Sequence, residues 1–297
     1  MQKDNDSGYL LEVMGLTQCF GQGAKAVKVL HNISFHIKPG EVYGLVGESG
    51  SGKSTIGKCI IGINKPSSGT IRFSGKEIQM IFQDPMSSLN PRRKIGDIIG
   101  AGLDIRKAYS SKQERDKKVG DMLEKVGLSR KHADRYPGQF SGGQRQRVGI
   151  ARALILEPEL IIADECIAAL DASIQAQVVN MLKRIQSETK TAMLFISHDL
   201  SMVRYLSDRI GVLHLGYLLE TGTTEDIFNE PIHPYTKNLI AAIPSPNPVL
   251  QVHPESRYDY ETSGILYENG SWKNVNGSTT HQVFCADVEA KKWGIMS

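Results

Sequence analysis

The stretch GESGSGKS, Gly47 to Ser54, fits the pattern G-x-x-x-x-G-K-[ST] at every specified position. It follows a short apolar run, Val42–Val46, that reads as a strand, and it opens a helix expected from Lys53 to about Gly62. The chemistry asks for these residue types in this order. Gly50 and Gly52 let the loop curl so that successive backbone N–H groups point into an anion nest, framed by Gly47, Ser49, Ser51 and Thr55. The following helix adds its positive end, Lys53 reaches the β/γ-phosphates, and the Ser54 hydroxyl ligates Mg²⁺. A flexible Gly/Ser turn would not need the full pattern in a strand–loop–helix frame. The expectation is a nucleotide phosphate site.

Further along, IIADECIAALD (Ile161 to Asp171) ends an apolar run in two adjacent acids. Two carboxylates at the end of a buried strand are costly unless a cation or a reacting group sits beside them. With a phosphate site upstream, Asp164 is placed to hold the Mg²⁺ hydration shell. Glu165 is placed to orient and deprotonate an attacking water. A third stretch, FSGGQRQR (Phe140 to Arg147), begins a helix with Ser141 as cap and glycines at Gly142 and Gly143. It is a second phosphate-binding helix start. One nucleotide rarely needs two such devices from one domain. Two copies packed head to tail would use both, each lending Ser141–Gln144 to the other's nucleotide.

Composition is that of an ordinary soluble globular protein rather than a disordered or membrane one. Of 297 residues, 40% are hydrophobic and 23% charged, and 35 − 32 gives a net charge of +3, too small to argue for a nucleic-acid partner. Cys19, Cys59, Cys166 and Cys285 are scattered without metal-ligand spacing, so reduced thiols and no closed zinc site are expected. The polar start MQKDNDSGY has no apolar signal core. No apolar stretch reaches the roughly 18 residues needed to cross a bilayer, so a cytoplasmic chain is expected.

Short Ile-, Leu- and Val-rich segments predict strands at Leu10–Val13, Ile33–Ile37 and Val42–Val46. A strand pair is expected at Thr70–Phe73 and Gln79–Phe82. From about Gly96 to Gly149 the pattern is helical, with Ser111-x-x-Glu114 as a capping box. Strand Leu160–Ala163, helix Ile174–Glu188, strand Ala192–Ile196 and helix Leu200–Leu206 follow. This alternation predicts an α/β fold with a mostly parallel sheet covered on its faces. Six prolines fall between Pro231 and Pro254, which reads as a semi-rigid linker. The tail from about Glu255 shows no clear periodicity.

These motifs together resemble the ATP-binding subunits of ABC transporters, over roughly Leu10 to Pro248. GESGSGKST resembles the Walker A motif, FSGGQ the signature and LIIADE the Walker B segment. The resemblance implies a P-loop NTPase with a RecA-like core, an antiparallel β subdomain and a helical signature subdomain at about 90–150. It implies an ATPase domain over 1–243 and a linker with C-terminal tail over 244–297. Gln83, in IFQDP, matches the glutamine that senses Mg²⁺ and the membrane partner. His198, in FISHDL, matches the histidine that contacts the γ-phosphate, and Phe20, in TQCFGQG, is placed like the aromatic that stacks on adenine. ATP is preferred because Phe20 offers that stacking and no guanine-reading NKxD motif is present.

FQDPMSSLNPR (Phe82 to Arg92) and HPYTKNLIAAIPSPNP (His233 to Pro248) are similar to segments of importers for oligopeptides, dipeptides and nickel or metal chelates. That resemblance implies a second, related ATPase subunit as partner, two membrane permease subunits docked after Gln83, and indirectly an extracytoplasmic solute-binding protein. It places the chain at the cytoplasmic face of the membrane, held peripherally. The carbon–phosphorus lyase accessory subunits share this sequence type and give the alternative, a soluble accessory ATPase. One motif set and about 55 residues between Gly96 and Gly149 leave no room for the coiled coils of non-transport relatives.

Departures stand out too. The family reads DEP-x-SALD where this chain has DECIAALD: Cys166 replaces a proline, Ala168 replaces a serine, and Asp171 is kept. Losing that hydroxyl removes one possible bond across the dimer, about 0.5–1.5 kcal/mol, and suggests an unequal pair. Between two acids Cys166 reads as packing rather than as a redox thiol. Many relatives carry several cysteines in the tail, some proposed to hold an iron–sulfur cluster. Here Cys285 is the only one there, so no cluster is expected.

Overall fold

The computed structural model describes residues 8–21, 23–84, 89–243 and 258–295. They form two compact units. The first is drawn from the segments Met1–Leu11, Ile37–Glu41 and Phe73–Ile196, the second from Glu12–His36, Val42–Arg72 and Ser197–Ser297.

In the second unit, β1 (Leu11–Phe20), β2 (Val27–Ile37) and β4 (Ser68–Phe73) form a sheet in the order β2-β1-β4. Strand β3 (Val42–Val46) is buried at all five residues and runs parallel to β8 (Arg209–His214), with Tyr43 opposite Arg209 and Val46 opposite Val212. A continuous apolar run is what a parallel strand covered on both faces requires. Strand β8 turns back antiparallel into β9 (Tyr217–Thr223). The pairing continues antiparallel from β9 to β11 (Gln282–Cys285) and from β11 to β10 (Ser271–Asn274). Helix α1 (Lys53–Ile60) follows β3 and buries Ile56, Cys59 and Ile60.

In the first unit, β5 (Ile78–Ile81), β6 (Leu160–Asp164) and β7 (Ala192–Ile196) are parallel neighbours, with Ile78 opposite Leu160 and Leu160 opposite Ala192. Helices α2 (Ile95–Arg106), α3 (Lys112–Lys125) and α4 (Gly142–Leu154) pack on one another, and α5 (Ala172–Thr189) links β6 to β7. Val42–Val46, Ala192–Ile196 and the helix α6 (Leu200–Leu206) have the bounds read from the sequence.

Two expectations need correction. Residues 68–73 and 78–81 are not a pair: the former lies beside β1, the latter runs parallel to β6. An apolar tetrad such as IQMI carries no information about its partner, and here it completes a buried parallel sheet. At Ser111 the capping box is only half closed. Its hydroxyl accepts the Glu114 N–H at 3.2 Å, but the Glu114 carboxylate accepts the N–H of Ser110, at 2.7 Å, one residue further out.

The linker prolines from Pro244 to Pro254 and the residues Pro85–Ser88 lie outside the described residues. Pro231 lies in a short irregular stretch, and Pro234 opens a helix rather than a linker. That helix, α8 (Pro234–Ala241), follows α7 (Thr224–Asn229) and places proline at its first position, where no N–H is needed. The tail adds α9 (Tyr260–Ser263), the strands β10 and β11, and α10 (Asp287–Lys292). Val275, Val283, Cys285 and Ala290 form its small core, with Ile232, Trp293 and Ile295 packed against them.

Candidate functional site

Strand β3 delivers the chain into the glycine-rich loop, and Gly52 starts α1 at φ +106° with no side-chain cap. A Cβ there would lie 2.6 Å from Leu30 Cδ2, so both backbone angle and space call for glycine. Lys53 is only 4% exposed. Its ammonium donates to the carbonyls of Gly47 and Glu48, each at 2.8 Å, folding back over the loop. Ser51 is buried, and its hydroxyl has no hydrogen-bond partner among the described residues. Gly47, Ser49, Gly50, Ser54 and Thr55 complete the same turn and helix start. A loop with a folded-back cation, an orphaned hydroxyl and an uncapped helix fits a multiply charged phosphate chain.

Phe20, at the end of β1, is 43% exposed, so its ring is not a core residue. His198 is exposed in the bend after β7. Ser197 donates its N–H to Leu45 O at 3.3 Å, and Asp199 caps α6 by accepting from Ser201 and Met202. His198 is therefore held between two anchored residues, beside the strand that feeds the loop.

In the first unit, Asp164 ends β6 with 4% exposure. Glu165 turns out of the strand at φ +44°, a left-handed angle that non-glycine residues adopt at a cost of about 1–3 kcal/mol. Its N–H donates to Ile196 O at 2.9 Å and its carbonyl accepts the Ala168 N–H at 3.1 Å. Those bonds hold the turn. The Gln83 side-chain amide donates to Glu165 Oε2 at 3.1 Å, so two residues far apart in sequence meet here. Cys166 is 2% exposed, and burial pushes its thiol up to about 12, so it stays a neutral packing group. Asp171 precedes α5 without capping it through its side chain.

Helix α4 starts with a complete capping box. Ser141 Oγ accepts the Gln144 N–H at 3.3 Å, and Gln144 Oε1 accepts the Ser141 N–H at 3.0 Å. Ser141 and Gly142 are exposed. A Cβ on Gly143 would stand 2.5 Å from Ile174 Cγ2, so glycine lets α4 approach α5 closely.

One group escaped the sequence reading. Glu220 on β9 is fully buried and accepts from the N–H groups of Ile232 (2.8 Å) and His233 (2.9 Å) and lies 2.9 Å from His281 Nε2. His233 caps α8 by accepting the Tyr235 N–H at 3.1 Å, and burial lowers its pKa to about 3, keeping it neutral. Tyr235 stacks on His214 with ring centroids 4.0 Å apart. His214 Nδ1 lies 2.7 Å from the Tyr267 hydroxyl, and burial lowers the His214 pKa. Burial also drives the Tyr267 phenol well above its ordinary value. The histidines of HPYT and HLGY and the tyrosines of the tail were the available signal. Cys285, 2% exposed, has its thiol pushed up to about 11 by burial.

A glycine-rich loop, an acid pair at a strand end and a capped signature helix define a class, the ATP-binding cassettes. The sequence model of the ABC transporter family matches residues 30–168, and that of the oligopeptide/dipeptide transporter C-terminal region matches residues 219–262. The chain is 53% identical over 258 residues to the oligopeptide transport ATP-binding protein OppF of Streptococcus mutans, covering 82% of this chain and 84% of that one. It is 50% identical over 301 residues to the dipeptide transport ATP-binding protein DppF of Lactococcus lactis, covering 95% and 96%. A solved ATP-binding cassette, a dimer in a post-hydrolysis state with ADP and Pi, is 28% identical with a TM-score of 0.66, over 72% of this chain and 98% of that one. The chain belongs to the ABC transporter family, among the ATP-binding subunits of its oligopeptide/dipeptide branch, and is an ATPase. No helix among the described residues is long and apolar enough to cross a membrane.

Proposed function

We propose that this subunit hydrolyses ATP at an interface with a second, related ATPase subunit and thereby powers peptide import through two permease subunits. The observation that carries the chemistry is the Gln83–Glu165 pair. Glu165 is held in a strained turn beside the buried Asp164, and the Gln83 amide touches one of its oxygens at 3.1 Å. A carboxylate positioned in this way serves as a general base once a water is presented to it.

By the family resemblance, Ser54, Asp164 and Gln83 would hold Mg²⁺, an ion that prefers hard oxygen donors of the kind these side chains carry. Mg²⁺, when bound, neutralises charge on the β- and γ-phosphates. Lys53 turns from the Gly47 and Glu48 carbonyls to the phosphates, and the loop's N–H groups orient them. Phe20 offers its exposed ring to the adenine. Glu165 takes the proton of the attacking water, and His198 donates to the γ-phosphate. Ser141–Gln144 of one subunit faces the nucleotide of the other. Segment Gln83 onward transmits the change to the permeases, placing the chain peripherally at the cytoplasmic face of the membrane.

Peptide is favoured over a nickel chelate as cargo because the matched C-terminal region and both relatives above carry oligopeptide or dipeptide names. In the reconstituted transporter, Glu165→Gln is expected to keep ATP binding, trap a closed dimer and slow hydrolysis about 10²–10⁴-fold. A wild-type rate would remove Glu165 from the base role. Uptake of labelled peptides by wild-type proteoliposomes tests the cargo; transport of a nickel chelate and no peptide would overturn it.

A further inference from the structure

The glycine-rich loop is held both from within and from elements distant in sequence. Lys53 holds the Gly47 and Glu48 carbonyls, each at 2.8 Å. The Glu48 N–H donates to the Tyr235 hydroxyl at 3.1 Å. Tyr235 is 3% exposed and sits 187 residues away in sequence, on α8. When Lys53 turns to bind phosphate, its hold on those carbonyls is given up. The Tyr235 hydroxyl still accepts the Glu48 N–H in this arrangement, from outside the loop.

Tyr235 is itself fixed from several directions. Its own N–H is bound by His233, whose N–H is bound by Glu220. Its ring lies flat on His214, at an interplanar angle of 27°. His214 meets the Tyr267 hydroxyl at 2.7 Å, and Tyr267 meets Tyr258 at 3.1 Å, oxygen to oxygen. The Tyr260 ring packs on Tyr267 at 4.4 Å. A continuous row of rings therefore runs from the tail to the backbone of the loop.

We infer that Tyr235 is a positioning residue for nucleotide binding, and that the C-terminal tail sets its placement through Tyr267 and His214. The inference rests on the reading of Gly47–Thr55 as the ATP phosphate cradle. A loop kept in its binding shape loses less freedom on taking up the phosphates, so the contact acts on affinity rather than on the chemical step.

The test measures binding of a fluorescent ATP analogue and the nucleotide-free unfolding temperature on the purified full-length chain, with KM and kcat measured in the reconstituted transporter. Tyr235→Phe keeps the ring and removes one hydrogen bond. It is expected to raise the Kd and KM about two- to tenfold, the equivalent of one such bond, with kcat and the unfolding temperature essentially unchanged. Tyr267→Phe should shift Kd the same way by less. The double variant should bind no more weakly than Tyr235→Phe alone, because residues acting through one path are not additive. An unchanged Kd in Tyr235→Phe overturns the inference, as does strict additivity, or a loss of kcat and unfolding temperature in step with affinity. Lys53→Ala separates the two readings. If it binds as tightly as wild type, the cradle assignment fails; if it loses binding while Tyr235→Phe does not, the tail relay alone fails.

Discussion

The two glycine-rich helix starts, at Gly52 and at Ser141, look alike in sequence and are built differently. The first has a left-handed glycine at φ +106° and no side-chain cap, while the second has a complete capping box between Ser141 and Gln144. An uncapped helix end needs something anionic to complete it, and here a buried lysine folds back beside it until a ligand comes. A capped end is finished before any ligand arrives and stays exposed, as a surface offered to another molecule would be. On the proposed reading, the same residue types serve a site that encloses its own nucleotide and a site that visits a neighbour's.

Two changes break or sharpen that contrast. Gly52→Ala places a side chain at φ +106° and within 2.6 Å of Leu30 Cδ2. The strain of about 1–3 kcal/mol falls on the loop, and nucleotide binding measured by fluorescence titration is expected to drop at least about fivefold. Binding at the wild-type level would mean that the loop does not depend on this angle. Ser141→Ala removes the cap, worth about 1 kcal/mol of helix stability. Its own nucleotide binding should survive, while hydrolysis is lost at the partner subunit's site. Loss confined to the mutant's own Lys53 site would refute a head-to-tail dimer.

The smallest effect concerns neither helix start but the histidines behind the loop. His214 and His233 have lowered pKa values because they are buried neutral. Below the ordinary value near 6.5 the unfolded chain takes up protons that the folded one refuses. Stability is therefore full above about 6.5 and declines as pH falls toward about 3 for His233, by under about 1 kcal/mol per histidine down to pH 6. Urea unfolding at pH 7.5 and pH 6.0 measures it, and His233→Asn should flatten part of the slope. A midpoint that rises on acidification would reverse the sign.

What the sequence disclosed follows distance along the chain. The cradle at Gly47–Thr55, the acids at Asp164 and Glu165 and the Ser141 cap each carry their chemistry within a few residues, so spacing alone reveals them. The β8–β9 hairpin was hidden because its turn, Leu215-Gly216, takes positive φ at both positions (+46° and +79°) with leucine where asparagine or aspartate would have signalled it. The tail was hidden more thoroughly. Its strands are four residues long, too short for a period, and the tail is held by pairing of β11 with β9 and by contacts of His281 with Glu220 and of its tyrosines with His214 and Tyr235, tens of residues upstream. Gln83 was expected from the family resemblance and Glu165 from the strand-end acids; that they touch each other was visible only in three dimensions.

Glu220 has a consequence for how the chain is made. It leaves the ribosome 61 residues ahead of His281, and during that interval the edge of β9 has no β11 beside it. An unpaired strand edge is a template for pairing with another chain. The carboxylate, short of its last partner, resists burial against a foreign strand until the tail arrives. A single acid thus guards the nascent edge first and clasps the finished one afterwards.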